Sequence, residues 1–412
     1  MQDVMGSARV RPDLTLVSIV CVSACNMLGF AAVFALLPKL QDKHGLPTGG
    51  LGLVTATSVL CSVYAQLTFA RFADRGHAQR IMRIGIAAMC AGFLWFSFAT
   101  ELWQFALARA VVGFGGGMFA PAARRTVVAR DPNRAGERLG MMVAVEVGGF
   151  VIGPPLAFAI YAAGGLRLPF LAPVVLLVLA GLSLRVRVRD QDQIETAVRT
   201  KGEIRSVLAL PAARAALLIG AAANLSIGAF EPVIAKQLTD IGASDTAAGL
   251  TLASFALPYV FFAWYGGRVA DRFGAYRTAV ISMLCTVPFV AMFGLAETAL
   301  AIAIVGVIRS CFDTITTPSG SAAMAHASPF KLLATGQGLY GANSSLMTGI
   351  AALAGAPIYD VWGAKALWFA SAGSMLVLTV ATGFLAMRAG AWNPKPGVVA
   401  PETIISADPS PA

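Results

Sequence analysis

Five charged side chains lie inside long apolar runs of this sequence, where a lipid bilayer would disfavour them: Arg109, Glu146, Glu231, Arg309 and Asp313. A charged side chain at the bilayer centre costs about 2.5–3.5 kcal/mol on insertion scales, so such residues usually face a protein interior or a water-filled cavity. A carboxyl group held between apolar surroundings and a nearby arginine can take up or release a proton when those surroundings change. We therefore predict that these five residues lie in a central cavity and carry proton coupling.

Some of these residues also have a structural interpretation, which the sequence leaves open. Asp313 follows Arg309 by four residues, one turn along a helix, so the two charges could neutralise each other. Glu231 could lie shallow enough to face external water, beside Pro232 where we expect a helix break. Glu146 could be hydrogen-bonded to a neighbouring helix in a packing seam.

A second set of charges lies in a short loop that occurs twice. The stretch Gly267–Gly274 has a looser copy at Ala70–His77, and Asp271 follows Asp74 by 197 residues. A carboxylate there can pair with neighbouring arginines and with the positive N-terminal end of a facing helix. We predict that the loop residues latch two halves of the molecule together: Asp74, Arg75, Gly267, Asp271, Arg272 and Gly274. In the alternative, the arginines only anchor the loops at the lipid headgroups.

The composition identifies the elements that must position these residues as membrane helices. The chain is 57% hydrophobic and 13% charged, against roughly 45–50% and about 25% in soluble proteins. A net charge of +10 could indicate nucleic acid, but the basic residues fall in short loops on one side of the membrane. The six cysteines all lie in apolar runs, and we interpret them as reduced packing residues.

Twelve apolar runs are long enough to span a bilayer, which predicts an all-α membrane protein with two six-helix bundles. The N-terminal bundle is predicted at 1–184, a polar cytoplasmic linker at 185–211, the C-terminal bundle at 212–390 and a disordered cytoplasmic tail at 391–412. The predicted spans are 14–38, 48–70, 81–99, 102–123, 139–162, 168–184, 212–237, 247–267, 277–296, 298–323, 334–358 and 364–388.

The distribution of basic residues predicts the topology. With the N-terminus inside, cytoplasmic loops and ends hold 24 of the 31 Lys and Arg residues, and external loops hold five. This bias predicts that both termini are cytoplasmic in a multi-pass protein of the plasma or inner membrane.

Three motifs carry a resemblance to the major facilitator superfamily. The loop Gly267–Gly274, the segment Arg109–Gly115 and the segment Gly149–Pro155 resemble its motifs A, B and C, in the corresponding spans and order. Motif C is similar to that of the twelve-span drug/proton antiporters. The resemblance implies a major facilitator fold and alternating access between two pseudo-symmetric bundles.

Motif C also has a physical interpretation. Gly149 and Gly153 lie one turn apart, on a smooth face that lets another helix approach, and Pro154 loosens the backbone beside them. We predict that this face forms a seam between the two halves.

The substrate leaves little trace in the sequence. Span position alone gives these lining candidates: Asn26, Phe30, Phe34, Tyr64, Gln66, Asn224, Phe255, Tyr259, Tyr340 and Asn343. Such an aromatic, weakly polar lining favours amphipathic or cationic organic molecules over phosphates or dicarboxylates.

Together these features predict a proton-coupled exporter of small amphipathic compounds, of the multidrug type. A metabolite or sugar facilitator or importer of the same fold is the alternative. We find no nucleotide-binding loop, metal-ligand spacing or nucleophile elbow, so we expect no enzyme activity, no cofactor beyond the proton gradient and no metal. The expected partners are the bilayer, protons and a small-molecule substrate, without nucleic acid, and we expect a monomer.

Overall fold

The computed structural model describes residues 14–45, 48–184 and 203–392, and these residues form helices joined by short turns. The α-helices in chain order are α1 Leu14–His44, α2 Thr48–Phe72, α3 Ala78–Phe98, α4 Leu102–Arg130, α5 Ala135–Gly164, α6 Leu168–Leu182, α7 Glu203–Ala209, α8 Pro211–Asp240, α9 Asp245–Ser254, α10 Leu257–Phe273, α11 Ala275–Met292, α12 Ala299–Ala327 and α13 Leu333–Arg388. Short π or 3₁₀ turns lie at Ala73–His77, Pro132–Arg134, Phe293–Leu295 and Phe330–Leu332.

The prediction of an all-helical membrane protein is confirmed. Nine helical stretches of the described chain are long and apolar enough to cross a membrane, and one of them, Leu53–Phe98, contains both α2 and α3. The α6 helix is apolar but shorter. Each of the twelve predicted spans coincides with helix, so the fold is consistent with twelve crossings.

Two helix interruptions differ from the prediction. The α8 helix runs through Pro232 without the expected break, as membrane helices can where neighbouring groups satisfy the freed carbonyl. The eighth span, by contrast, contains a break that the sequence did not predict, between α9 and α10 at residues 255–256. The last two spans join as α13, with a bend at Gly363 whose φ of 77° is readily adopted by glycine.

Small residues bring the helices of each half close together. A Cβ on Gly113 would overlap the backbone of Ser58, which shows how tightly α4 packs on α2. In the C-terminal half, Gly266 of α10 lies equally close to Thr314 of α12. Close backbone approach at small residues is the usual packing mode of membrane helices, and it fixes α4 and α12, the helices that carry Arg109 and Arg309.

Other predicted segments meet the structure only in part. Residues 1–13, most of the predicted linker (185–202) and most of the predicted tail (393–412) lie outside the described residues. All six cysteines are free thiols, but Cys21 and Cys311 are exposed. The packing interpretation is wrong for these two, because their positions face outward from α1 and α12.

Candidate functional site

Asp74 lies in the turn Ala73–His77 and caps a helix of the other half. Its carboxylate accepts hydrogen bonds from the backbone N–H groups of Ala334 and Thr335, each at 2.7 Å. The Thr335 hydroxyl donates a third bond at 2.7 Å. These groups form the first turn of α13, where the helix dipole favours negative charge. We call this set of contacts the Asp74 cap.

A buried arginine completes the Asp74 cap. Arg125 Nε lies 3.2 Å from Asp74 Oδ1, and both side chains are almost fully buried. Its guanidinium also lies 5.8 Å from the Phe330 ring centroid, in the connection before α13. The predicted span 102–123 ends before Arg125 and its neighbour Arg124, but the structure places both inside α4. One signal was available, since the apolar run resumes at Val127 and Val128.

Asp271 makes the corresponding contacts in the opposite direction, and we call them the Asp271 cap. It lies in the last turn of α10 and accepts bonds from the N–H groups of Gly136 at 2.7 Å and Glu137 at 2.8 Å, in the first turn of α5. Gly136 and Glu137 precede Ala334 and Thr335 by 198 residues. Each half therefore presents one aspartate to one helix N-terminus of the other half.

Glycine makes the Asp271 cap possible. A Cβ on Gly267 would overlap the backbone of Gly136, so the backbones of α10 and α5 are in contact here. Farther along the same seam, Gly140 of α5 lies against Ala263 of α10. Gly274, with φ of 93°, then ends α10 and allows the tight turn into α11.

The arginines beside the aspartates contact other groups, although the loop pattern would also have allowed them to pair with the aspartates. Arg75 Nη2 lies 2.7 Å from Glu203 Oε1 of α7, and Arg268 Nη2 lies 2.8 Å from Glu137 Oε1. Arg272 lies over the Phe273 ring, 5.4 Å from its centroid. The capped carboxylates already accept helix N–H groups, and these arginines reach outward from the seam instead.

Arg109 is buried beside an aromatic ring. Arg109 is 2% exposed, and its guanidinium carbon lies 4.5 Å from the ring centroid of Phe30 on α1. Within the described chain, its Nε and Nη1 atoms have no hydrogen-bond partner. A cation–π contact offsets part of the cost of burying this charge.

Arg309, 200 residues later, has an acidic partner. Its Nη2 lies 3.2 Å from Asp313 Oδ2 and 3.3 Å from the Ser226 hydroxyl of α8, and all three residues are buried. Tyr259 of α10 lies near this pair and close to Thr317, one turn beyond Asp313. The structure therefore brings together the pair that the i, i+4 spacing allowed.

Glu146 is half-buried on α5 and lies near two neighbouring helices of its own half. Its carboxyl group is close to Ser23 of α1 and within range of the positive charge of Arg124 on α4. Arg124 also lies against Gly341 of α13, so it lies between the two halves. The sequence did not single out Arg124. The side chain of Glu231 lies outside those that the structure describes.

The prediction that the motif C glycines form a seam between the halves is wrong. Gly149 lies against Ala24, and Gly153 lies against Leu28 and Ala31, all on α1 of the same half. The seam between the halves uses Gly136 and Gly140 instead. Because α5 touches both α1 and α10, its small residues are divided between two neighbours along its length.

The predicted lining residues separate by burial. Phe34 and Tyr64 are 61% and 60% exposed, while Asn26 and Phe30 are half-buried. Phe255 packs against Gly306, and Tyr340 against Gly320, in contacts between helices. The remaining polar candidates are held by neighbouring helices or lie buried: Asn224, Asn343 and Gln66. The described structure therefore does not gather all ten residues around one cavity.

Comparison with known proteins supports the assignment of the fold. A family model for the major facilitator superfamily matches residues 19–233 and again 215–408. The structure of the human organic anion transporter MFSD10 superposes with a TM-score of 0.73, covering 90% of this chain and 100% of that chain. The two sequences are 15% identical, so the likeness concerns the fold.

Curated relatives are more distant than the family match suggests. The multidrug resistance protein MdtG of Dickeya zeae is 26% identical over 57% of this chain and 60% of its own length. MdtG of Klebsiella pneumoniae is 21% identical over 72% and 75%. The vesicular acetylcholine transporter of Mus musculus is 26% identical over 58% and 48%. The fold, the repeated motifs and the family model together show that this chain belongs to the major facilitator superfamily.

Proposed function

We propose that this protein exports small amphipathic organic compounds in exchange for protons, by alternating access between its two halves. The observation that carries the proposal is the crossed pair of caps, in which each half holds a helix N-terminus of the other. Such reciprocal contacts suit a face that opens and closes as a unit, which a rocking transporter requires.

The caps give that face a well-defined closed state. Hydrogen bonds to charged groups contribute about 1.5–3 kcal/mol each, and the two carboxylates together accept five from the facing helices. The free energy lost when these hydrogen bonds break must therefore be offset by binding of substrate or protons in the cavity. Opening of this face is thereby coupled to the transported compound. We propose that this face is cytoplasmic, in accord with the basic residues on its loops.

Proton coupling is assigned to the buried carboxylates. Protonation of Asp313 would remove its attraction for Arg309, so that the arginine, which also contacts Ser226, could reorient toward a substrate. Glu146 is a second candidate because it lies on α5, close to Ser23 of α1 and to Arg124. Glu231 stays a third candidate on sequence grounds alone.

The substrate class rests on lining character and on relatives. Phe30, Phe34 and Tyr64 provide aromatic surface with few fixed charges around it. The names of the relatives refer to multidrug resistance and to acetylcholine, which support small organic molecules as cargo. We further propose a monomer in the plasma or inner membrane with both termini cytoplasmic, without enzyme activity or cofactor.

Drug susceptibility of overexpressing cells, with and without a protonophore, tests the proposal. We expect overexpression to lower susceptibility to amphipathic compounds and the protonophore to remove the effect. Increased accumulation of a compound in the overexpressing cells would instead favour the facilitator or importer. Protection that survives the protonophore would contradict proton coupling.

A vesicle assay tests the proton site directly. In inverted vesicles, Asp313→Asn should abolish uptake driven by an imposed pH gradient, because the side chain can no longer take up a proton. Binding of the same compound to purified protein should persist. Unchanged proton-driven uptake in both Asp313→Asn and Glu231→Gln would refute the assignment of coupling to these residues.

A further inference from the structure

A small cavity on the face opposite the caps carries positive charge that the proposed transport cycle does not use. It lies where the end of α1 meets the end of α3 and the start of α6, and its volume is about 120 Å³. Lys43, His44 and Arg167 contribute basic groups to its lining. Pockets for drug-sized ligands measure about 300–1,000 Å³, so this cavity suits a smaller group.

Packed aromatic rings form a preformed floor. Phe96 and Phe170 line the cavity and meet edge to face, with their ring centroids 5.0 Å apart. Phe105 packs on Phe96 at 5.0 Å and supports the His44 ring at 5.6 Å. All three phenylalanines are almost fully buried, so a ligand would meet a rigid base.

The described lining of the cavity holds basic groups without an acidic counterpart. Among the described residues that line it, the charged ones are basic. Glu101 is close enough to act on His44, but it is not among the lining residues and lies at the N-cap of α4, where it forms a capping box with Gln104. Two of the five Lys and Arg residues in the predicted external loops gather here. Clustered basic groups of this kind bind phosphate oxygens.

Exposed aromatic rings place the cavity at the level of the lipid headgroups. Trp95 and Phe98 at the end of α3, and Trp103 at the start of α4, are 39%, 55% and 57% exposed. Exposed Trp side chains in membrane proteins concentrate at the interface between hydrocarbon and water. Arg167 lies over the Phe98 ring, 5.4 Å from its centroid, so a basic group is held directly beside this belt.

We propose that this cavity binds the phosphate group of an anionic phospholipid from the surrounding leaflet. Lys43 and Arg167 would hold the phosphate and His44 would line its inner side, while the acyl chains lie against Phe98 and the exposed Leu168. Basic pockets between membrane helices bind lipid headgroups by the same electrostatics.

Native mass spectrometry of the purified full-length protein tests the site. Retention of phosphatidylglycerol is compared with that of phosphatidylcholine, for the wild type and for the variant Lys43→Gln/Arg167→Gln. Lys365→Gln serves as the matched control, because Lys365 is another exposed basic residue of the predicted external loops. A third arm adds inorganic phosphate to the phosphatidylglycerol complex.

We expect phosphatidylglycerol to be retained preferentially, and each removed charge to weaken its binding about fivefold. Lys365→Gln should behave as wild type, and inorganic phosphate should not displace the lipid. Equal retention by the double variant and the wild type would overturn the proposal. Equal binding of phosphatidylglycerol and phosphatidylcholine would also overturn it. Displacement of the lipid by inorganic phosphate would overturn the lipid assignment and indicate a site for a free anion.

Folding and transport are separated from this test. Size-exclusion chromatography and circular dichroism identify a variant that does not fold, and the two single variants then replace the double one, each with the fivefold loss expected. Lipid retention requires no transport activity, so a failure of the proposed transport function would leave this result interpretable.

Discussion

The two caps use the same backbone geometry but different side chains to hold it. In the Asp74 cap, Arg125 forms a buried ion pair with the aspartate. The position 200 residues after Arg125 is Ala325, so the Asp271 cap has no corresponding arginine there. In the Asp271 cap, Gly267 touches the Gly136 backbone, whereas the position 197 residues before Gly267 is Ala70.

Both seams pack closely at a glycine, Gly338 of α13 against Gln66 in the first and Gly140 of α5 against Ala263 in the second, so the comparison shows that the buried arginine is the support particular to the Asp74 cap. Both solve the same problem, which is to place a carboxylate on the N–H groups of a helix first turn. Ala70 packs against Gly338 of α13 in the first cap, and there the buried arginine adds attraction. The pseudo-symmetry therefore conserves the acceptor and the donors, while the support around them has diverged.

Removal of the Asp74 charge should have the largest effect. Asp74→Asn keeps the shape of the side chain but takes the carboxylate from buried Arg125 and from helix α13. Loss of one member of a buried pair costs about 3–5 kcal/mol, so we expect lost transport together with a lower melting temperature. Asp360→Asn, in the exposed pair with Lys236, is the control and should change stability little. Wild-type stability of Asp74→Asn would contradict the conclusion that the buried ion pair with Arg125 supports the Asp74 cap.

Asp271→Asn should abolish transport with a smaller loss of stability. This aspartate has no buried arginine among the contacts described above, so its loss removes hydrogen bonds to α5 without stranding a cation. We expect normal amounts of protein at the cell surface and no proton-driven uptake into inverted vesicles. Full activity would remove the latch role from the account of this loop.

A methyl group in the seam should hinder closure at the Asp271 cap. Gly267→Ala places a Cβ on the Gly136 backbone, and overpacking of this kind costs about 1–3 kcal/mol. We expect slower initial uptake and greater labelling of a cysteine placed at the capped face. Gly373→Ala is the matched control, because a Cβ there meets no atom within 4 Å. Equal rates for the two variants would show that backbone contact at Gly267 does not limit closure.

The linker contact should have the smallest effect. Glu203 of α7 pairs with Arg75 beside the Asp74 cap, and Arg75 is 37% exposed at its side chain. Arg214 of α8 donates to the Leu208 and Ala209 carbonyls, which fixes α7 to the C-terminal half. Exposed ion pairs contribute about 0.2–1 kcal/mol, so Glu203→Gln should change the transport rate less than about fivefold. A similar change in wild-type protein at high salt would support the same cause, and a complete loss of transport would contradict it.

The sequence determined the membrane class, the helix positions and the two aspartates that lie between the halves. Hydropathy and charge bias suffice for the spans, because lipid requires long apolar helices and positive charge collects at their ends. The repeat of the loop 197 residues later also indicated which aspartates correspond. The role of Arg125 could not be predicted in this way, because a pair of arginines is typical of the end of a span, whereas α4 continues to Arg130.

Only the tertiary structure decided which groups meet. Asp74 and Asp271 each bind two backbone N–H groups of the facing helix, and such groups leave no mark in the sequence because every residue except proline carries one. For the same reason, the spacing of Gly149 and Gly153 revealed a smooth helix face but not that α1 of the same half covers it. Periodicity assigns residues to one side of a helix, and packing across the whole molecule then selects the neighbour of that side.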